Sequence, residues 1–205
     1  MRMFGLDDGN QDKVIYSAEI TQEWLDGIKS KHSWDKYNLY DNRLWEYMDE
    51  LFDKVVAKSG AGSDEKLWDN LNRPQKVFWT FLAFNGDTDN GGVYQFFFNR
   101  IQFAYAATEA FQELGQHDLL DDYLIAFDEV TGFQDKHLEL RTRFENLDLE
   151  WAERATGFQE GAKLLTSAKK IEDYYYNEDF KRQLHKSVAD YIEQRMDQFA
   201  RIIPT

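Results

Sequence analysis

The chain has 205 residues, 42% hydrophobic and 16% aromatic, and a formal net charge of −14. That aromatic content excludes a disordered chain, and the lack of cysteine excludes disulfides, thiolate metal sites and cysteine nucleophiles. The acidic balance, −5 over residues 1–100 and −9 over residues 101–205, argues against direct nucleic-acid binding, which needs basic surface to displace counterions.

The first dozen residues read as a loose arm. No apolar targeting run and no stretch of about 20 apolar residues is visible, so a cytoplasmic protein without membrane contact is expected. Long period-2 alternation is absent and helical spacing recurs. The expected fold is all-α, a single compact multi-helix bundle around a buried helical hairpin. Residues 1–34 read as an N-terminal arm and short helix, and residues 35–205 as the helical domain.

Ser17 or Thr21 is the candidate N-cap of the first helix, whose stripe is Ile20, Trp24, Leu25 and Ile28. A longer helix is expected over about residues 35–58, with Leu44, Tyr47, Leu51 and Val55 on its face. The run SGAGSD, residues 59–64, is a break that Ser63 or Asp64 can cap. Pro74 suits a first helical turn. Val77, Phe78, Trp79, Phe81, Leu82 and Phe84 then cover almost the whole circumference, which marks a buried helix.

The stretch NGDTDNGGVYQFFFN follows. Residues 85–90 read as a loop, Asn90 as an N-cap, and Gly91–Gly92 as a tight entry to a second helix. An EF-hand reading fails, because Phe98 stands where the bidentate acid belongs. At about 100° per residue, Phe96, Phe97 and Phe98 span about 200°, and Gln95 and Asn99 share the remaining sector. Those two amides either tie down backbone or line a pocket. Further helices are expected near residues 103–114, 118–130, 135–145, 150–168 and 177–203.

Leu71, Gln75, Asn90, Gly91, Gly92, Gln95, Phe96 and Asn99 carry a resemblance. They are similar to the core pattern of a bacterial helical family named after a DNA-mimic protein and carried largely as a domain of unknown function. That pattern is a Leu-x-x-x-Gln helix followed by Asn-Gly-Gly-x-x-Gln-Phe-x-x-Asn. The resemblance covers about residues 35–195. It departs from the pattern before the glycines, where this chain has Asp87-Thr88-Asp89-Asn90, and in the added N-terminal arm. The resemblance implies an acidic helical protein that occupies the DNA-binding face of a regulator or nucleoid protein.

Catalytic signatures are missing: no GxSxG elbow, Walker loop or dinucleotide fingerprint occurs. His32, His117, His137 and His185 form neither HxxxH nor a Glu-x-x-His pair, so no metal, cofactor or enzymatic activity is expected. The distinctive surface is acidic. Residues 118–160 hold 12 acids against 4 bases, among them Asp118, Asp121, Asp122, Asp128, Glu129, Asp148, Glu150 and Glu153. In HDLLDDYLIAFDEV the apolar set is Leu119, Leu120, Tyr123, Leu124 and Phe127, and the acids fall largely off that face.

The expected function is therefore a non-enzymatic acidic binding protein. It would present ordered carboxylates to the basic face of a protein partner, as a DNA mimic acting on a DNA-binding protein does. Two alternatives stand beside it: an immunity protein neutralising a basic nuclease toxin, and a small-ligand pocket built on Gln95 and Asn99. The oligomeric state stays open, a homodimer included.

Overall fold

Local capping residues start many of the elements. A computed structural model describes residues 3–7 and 17–204, and the reading of residues 1–2 and 8–12 as part of a loose arm lies outside them. A short strand β1 (Ala18–Thr21) leads into α1 (Gln22–Lys31), where the Thr21 hydroxyl accepts from the Trp24 amide at 3.1 Å. Asn42 caps α2 (Arg43–Tyr47), which continues through a π-helical stretch (Met48–Phe52) into α3 (Asp53–Ser59). Gly60, at φ +59°, ends that helix, and Ser63 caps α4 (Asp64–Trp68).

Next comes α5 (Arg73–Gly91), with Pro74 in its first turn. Its start is a reciprocal capping box. Asn72 Oδ1 accepts from the Gln75 amide at 2.9 Å, and Gln75 Oε1 accepts from the Asn72 amide at 3.2 Å. After it run α6 (Val93–Arg100), α7 (Ala104–Glu113), α8 (His117–Gly132), α9 (Gln134–Glu145), α10 (Trp151–Leu164), α11 (Ala168–Tyr175) and α12 (Glu178–Glu193). A second strand, β2 (Ala200–Ile203), pairs in parallel with β1, Ala18 opposite Ala200. The all-α reading holds, with this two-stranded ribbon as the only sheet among the described residues. Four residues per strand are too few to show period-2 alternation, and the pairing exists only through residues at the other end of the chain.

The chain packs as two units, Met1–Gly5 with Thr80–Tyr176, and Leu6–Trp79 with Asn177–Thr205. In the second, the stripe expected on α2 and α3 is buried: Leu44, Tyr47, Leu51 and Val55 are fully shielded, as are Leu184, Val188 and Ile192 of α12. Phe78 packs edge-on to Phe52 at 5.4 Å and to Phe199 at 6.1 Å. Glu193 gathers Arg43 (2.9 Å) and the Tyr47 hydroxyl (2.7 Å). Leu6 is buried and its carbonyl accepts from Lys76 Nζ at 3.3 Å.

The other unit is built around Phe84. Its ring meets Phe96, Phe111, Tyr123 and Tyr175 at 4.9–5.8 Å, each edge-to-face. Phe4 stacks on Phe103 at 4.8 Å and donates its amide to the Gln102 carbonyl at 2.8 Å. Residues 3–7 are thus anchored rather than loose, because Phe4 and Leu6 each bury an apolar side chain. Among the described residues, no helix is long and apolar enough to cross a membrane.

Each unit holds one fully buried histidine. Burial pushes His137 down to about 4, helped by the Arg141 charge, and pushes His185 down to about 3, helped by Lys181. Both stay neutral in the folded chain, whereas the unfolded chain takes up protons near pH 6.5. Stability is therefore full above pH 6.5 and falls from there toward pH 4, at up to about 1.4 kcal/mol per pH unit for each histidine. Urea midpoints at pH 7 and pH 5 should differ accordingly, and equal midpoints would contradict buried neutral histidines.

Candidate functional site

The expected loop at residues 85–90 does not exist, because α5 runs unbroken to Gly91. Asn, Gly and Asp in a row read locally as a turn, but here their side chains are used by partners elsewhere in the same unit. Asn85 Oδ1 accepts from the buried Tyr175 hydroxyl at 2.8 Å, and Asn85 donates to Asp89 at 3.0 Å. The Tyr176 hydroxyl donates to the Thr88 carbonyl at 2.8 Å. Asp87, buried, accepts from Asn99 Nδ2 at 2.8 Å and Gln95 Nε2 at 3.4 Å, and pairs with Arg100. Gln95 and Asn99 therefore tie α6 to the last turns of α5 through a carboxylate.

The break between the two helices is a single residue, Gly92, at φ +81°. Asn90 does not cap α6. The Glu172 carboxylate on α11 does, accepting from the Val93 amide at 2.9 Å. A Cβ at Gly92 would overlap that carboxylate, and a Cβ at Gly91 would overlap the Gln95 amide oxygen. Phe96 faces the Phe84 cluster. Glu172 was beyond sequence reasoning, since it lies 79 residues from the amide it caps.

The acidic residues divide into two kinds. Asp122, expected on the outer face of α8, is only 8% exposed and pairs with Lys170 at 2.6 Å. Glu129 accepts from the Thr166 amide (3.1 Å) and the Ser167 amide (2.9 Å) and from both hydroxyls, closing the turn before α11. Burial pushes the Glu129 carboxyl up, but the bonds from Ser167 and then Thr166 outweigh it and hold it below the usual range. These two carboxylates brace the fold. Asp118, Asp121 and Asp128 of α8 are exposed, as are Asp148, Glu150 and Glu153 around the start of α10, and none of the six forms an ion pair with a described residue.

On α9 the cations are consumed internally, Lys136 by Glu139, Arg141 by Glu145, and Arg143 by Glu139 and Glu160. Leu124 also departs from expectation. It is 45% exposed and its neighbour Ile125 is 55% exposed. At 100° per residue, Asp118, Asp121, Leu124, Ile125 and Asp128 share a sector about 120° wide and about 15 Å long.

One pocket of about 400 Å³ opens among α6, α9 and α10, lined by the amides of Asn90, Gln95 and Asn99 and the rings of Phe98, Phe144, Trp151 and Phe158. His32, Asp41 and Glu46 place one ligand atom each within 4.8 Å of one another. Glu46 Oε1 already accepts from Lys31 at 2.6 Å and meets His32 Nε2 at 2.9 Å. Those two contacts, Lys31 first, hold its carboxyl below the usual range, so the cluster is satisfied by its own cation.

Neither curated proteins nor solved structures gave a match to the chain. A family model described as DMP19-like protein matches residues 69–195. The match takes in the capping box, the Asn-Gly-Gly turn, the acidic face of α8 and the pocket, but starts well after residue 35, leaving β1 through α4 outside it. Leu71, Gln75 and the Asn90–Asn99 stretch lie within it, and the chain belongs to the DMP19-like protein family.

Proposed function

We propose that this chain is a non-enzymatic acidic binding protein that docks on the basic face of a protein partner through α8, in the manner of a DNA mimic. The carrying observation is the composition of the outer α8 sector: Asp118, Asp121 and Asp128 free of ion pairs with described residues, with exposed Leu124 and Ile125 between them. Carboxylates without an ion pair, on a chain of net charge −14, steer a basic partner over distance and repel DNA. The apolar pair adds area that gains only when a partner covers it, which plain solubilising charge would not need. Family membership supports the same reading, since the family is named for a DNA-mimic protein. Asp148, Glu150 and Glu153 form a second acidic set near the start of α10 and serve as the comparison.

The test uses host DNA-binding proteins that the chain captures and that duplex DNA displaces. Reversing Asp118, Asp121 and Asp128 to Lys together should weaken capture at least about tenfold and flatten its salt dependence, with an unchanged melting temperature. Reversing Asp148, Glu150 and Glu153 should do less. If the α8 triple reversal binds as the parent does, α8 is not the face. Capture of one basic nuclease that DNA does not displace would replace mimicry with toxin neutralisation.

A further inference from the structure

We propose that the pocket among α6, α9 and α10 binds a planar, uncharged heteroaromatic ligand of the nucleobase or nucleoside class. This activity is separate from the acidic face of α8.

The first ground is the lining. Charged residues make up 30% of the chain, yet every residue lining this pocket is uncharged. Its volume of about 400 Å³ lies in the range of small-molecule sites, and its mix of aromatic walls with a few amides is their usual composition. Phe98 meets Phe144 at 5.2 Å and Phe158 at 5.3 Å, both near perpendicular, and Phe144 meets Trp151 at 5.7 Å. Trp151 is 63% exposed, with Arg154 over its ring at 5.7 Å, and its exposure leaves ring area at the mouth of the pocket on which a planar ligand can stack.

The second ground is preorganisation. Gln95 and Asn99 both donate to Asp87 Oδ1, which holds two of the pocket's amides in place before any ligand arrives. An amide offers a donor and an acceptor side by side, the pattern that matches a nucleobase edge. A cation is disfavoured because Arg154 already lies over Phe144 (5.4 Å) and Trp151 (5.7 Å). A phosphate would find only Arg154 beside the lining, already over Phe144 and bonded to its carbonyl at 2.6 Å, and a chain of net charge −14 around it.

The experiment is calorimetric titration of the whole chain with adenosine, guanosine, cytidine and uridine, and with the 5′-monophosphate of each. The expected result is saturable one-to-one binding of at least one nucleoside, with its monophosphate at least tenfold weaker. Trp151→Ala, at an exposed position, should weaken that binding roughly tenfold by removing a stacking surface. Ala155→Phe, within the lining, should fill the pocket and abolish it. The proposal is overturned if no nucleoside saturates, if a monophosphate binds as tightly as its nucleoside, or if both variants bind as the parent chain does.

Discussion

Gly92→Val is expected to lower the stability of the chain by about 3 kcal/mol, roughly a 10 °C fall in melting temperature. Two costs combine. At φ +81° a β-branched residue is strained, by about 1–2 kcal/mol for the left-handed backbone. Its Cβ would also overlap the Glu172 carboxylate, so Glu172 must move and the Val93 amide loses its acceptor. Losing a cap costs about 1 kcal/mol. Glu172→Gln separates the two, because it keeps an acceptor oxygen and leaves the backbone relaxed, and it should cost under about 1 kcal/mol. Thermal melts of the two variants decide it, and equal melting temperatures would show that Gly92 is not the constrained residue.

Asp87→Ala should cost a similar amount, about 3 kcal/mol, by a different route. One buried carboxylate serves Asn99, Gln95 and Arg100, and removing it takes an acceptor from all three at once. Arg100 is partly open to water, which softens its share. Asp87→Asn keeps one acceptor oxygen and should recover part of the loss. Urea unfolding of both variants tests this, and an Ala variant as stable as the parent would mean that α5 and α6 hold together without the carboxylate.

Both positions sit where sequence reasoning was only partly successful, and the reason is physical. Helices with a clear apolar stripe are legible in place but not in extent, because helical periodicity is local: the helix expected over about residues 35–58 begins only at Arg43, and the one expected over residues 177–203 ends at Glu193, with Ala200–Ile203 in a strand. Caps such as Thr21 and Ser63 were legible too, since donor and acceptor lie within three residues. The turn at the glycines is legible, but it is Gly92 alone, and Gln95 and Asn99 bind the Asp87 carboxylate rather than backbone. What failed depended on distant partners. Residues 85–90 are helical because Tyr175, Tyr176, Gln95 and Asn99 satisfy their polar groups. Asp122 and Glu129 turned inward because Lys170 and the 166–167 turn receive them. Counting acids along α8 could not separate braces from free carboxylates.

The pairing of β1 with β2 has a consequence for how the chain is made. Glu19 and Arg201, joined across this ribbon, stand 182 residues apart. The unit that contains both is assembled from an early segment, Leu6–Trp79, and a late one, Asn177–Thr205. During synthesis the early segment must wait, with Leu44 and Tyr47 of α2 still lacking α12, until residues 177–205 have left the ribosome. Thr80–Tyr176 is complete sooner and can begin to fold while that half is still waiting. The nascent chain therefore carries exposed apolar surface until the late segment has emerged, a natural point of engagement for holding chaperones.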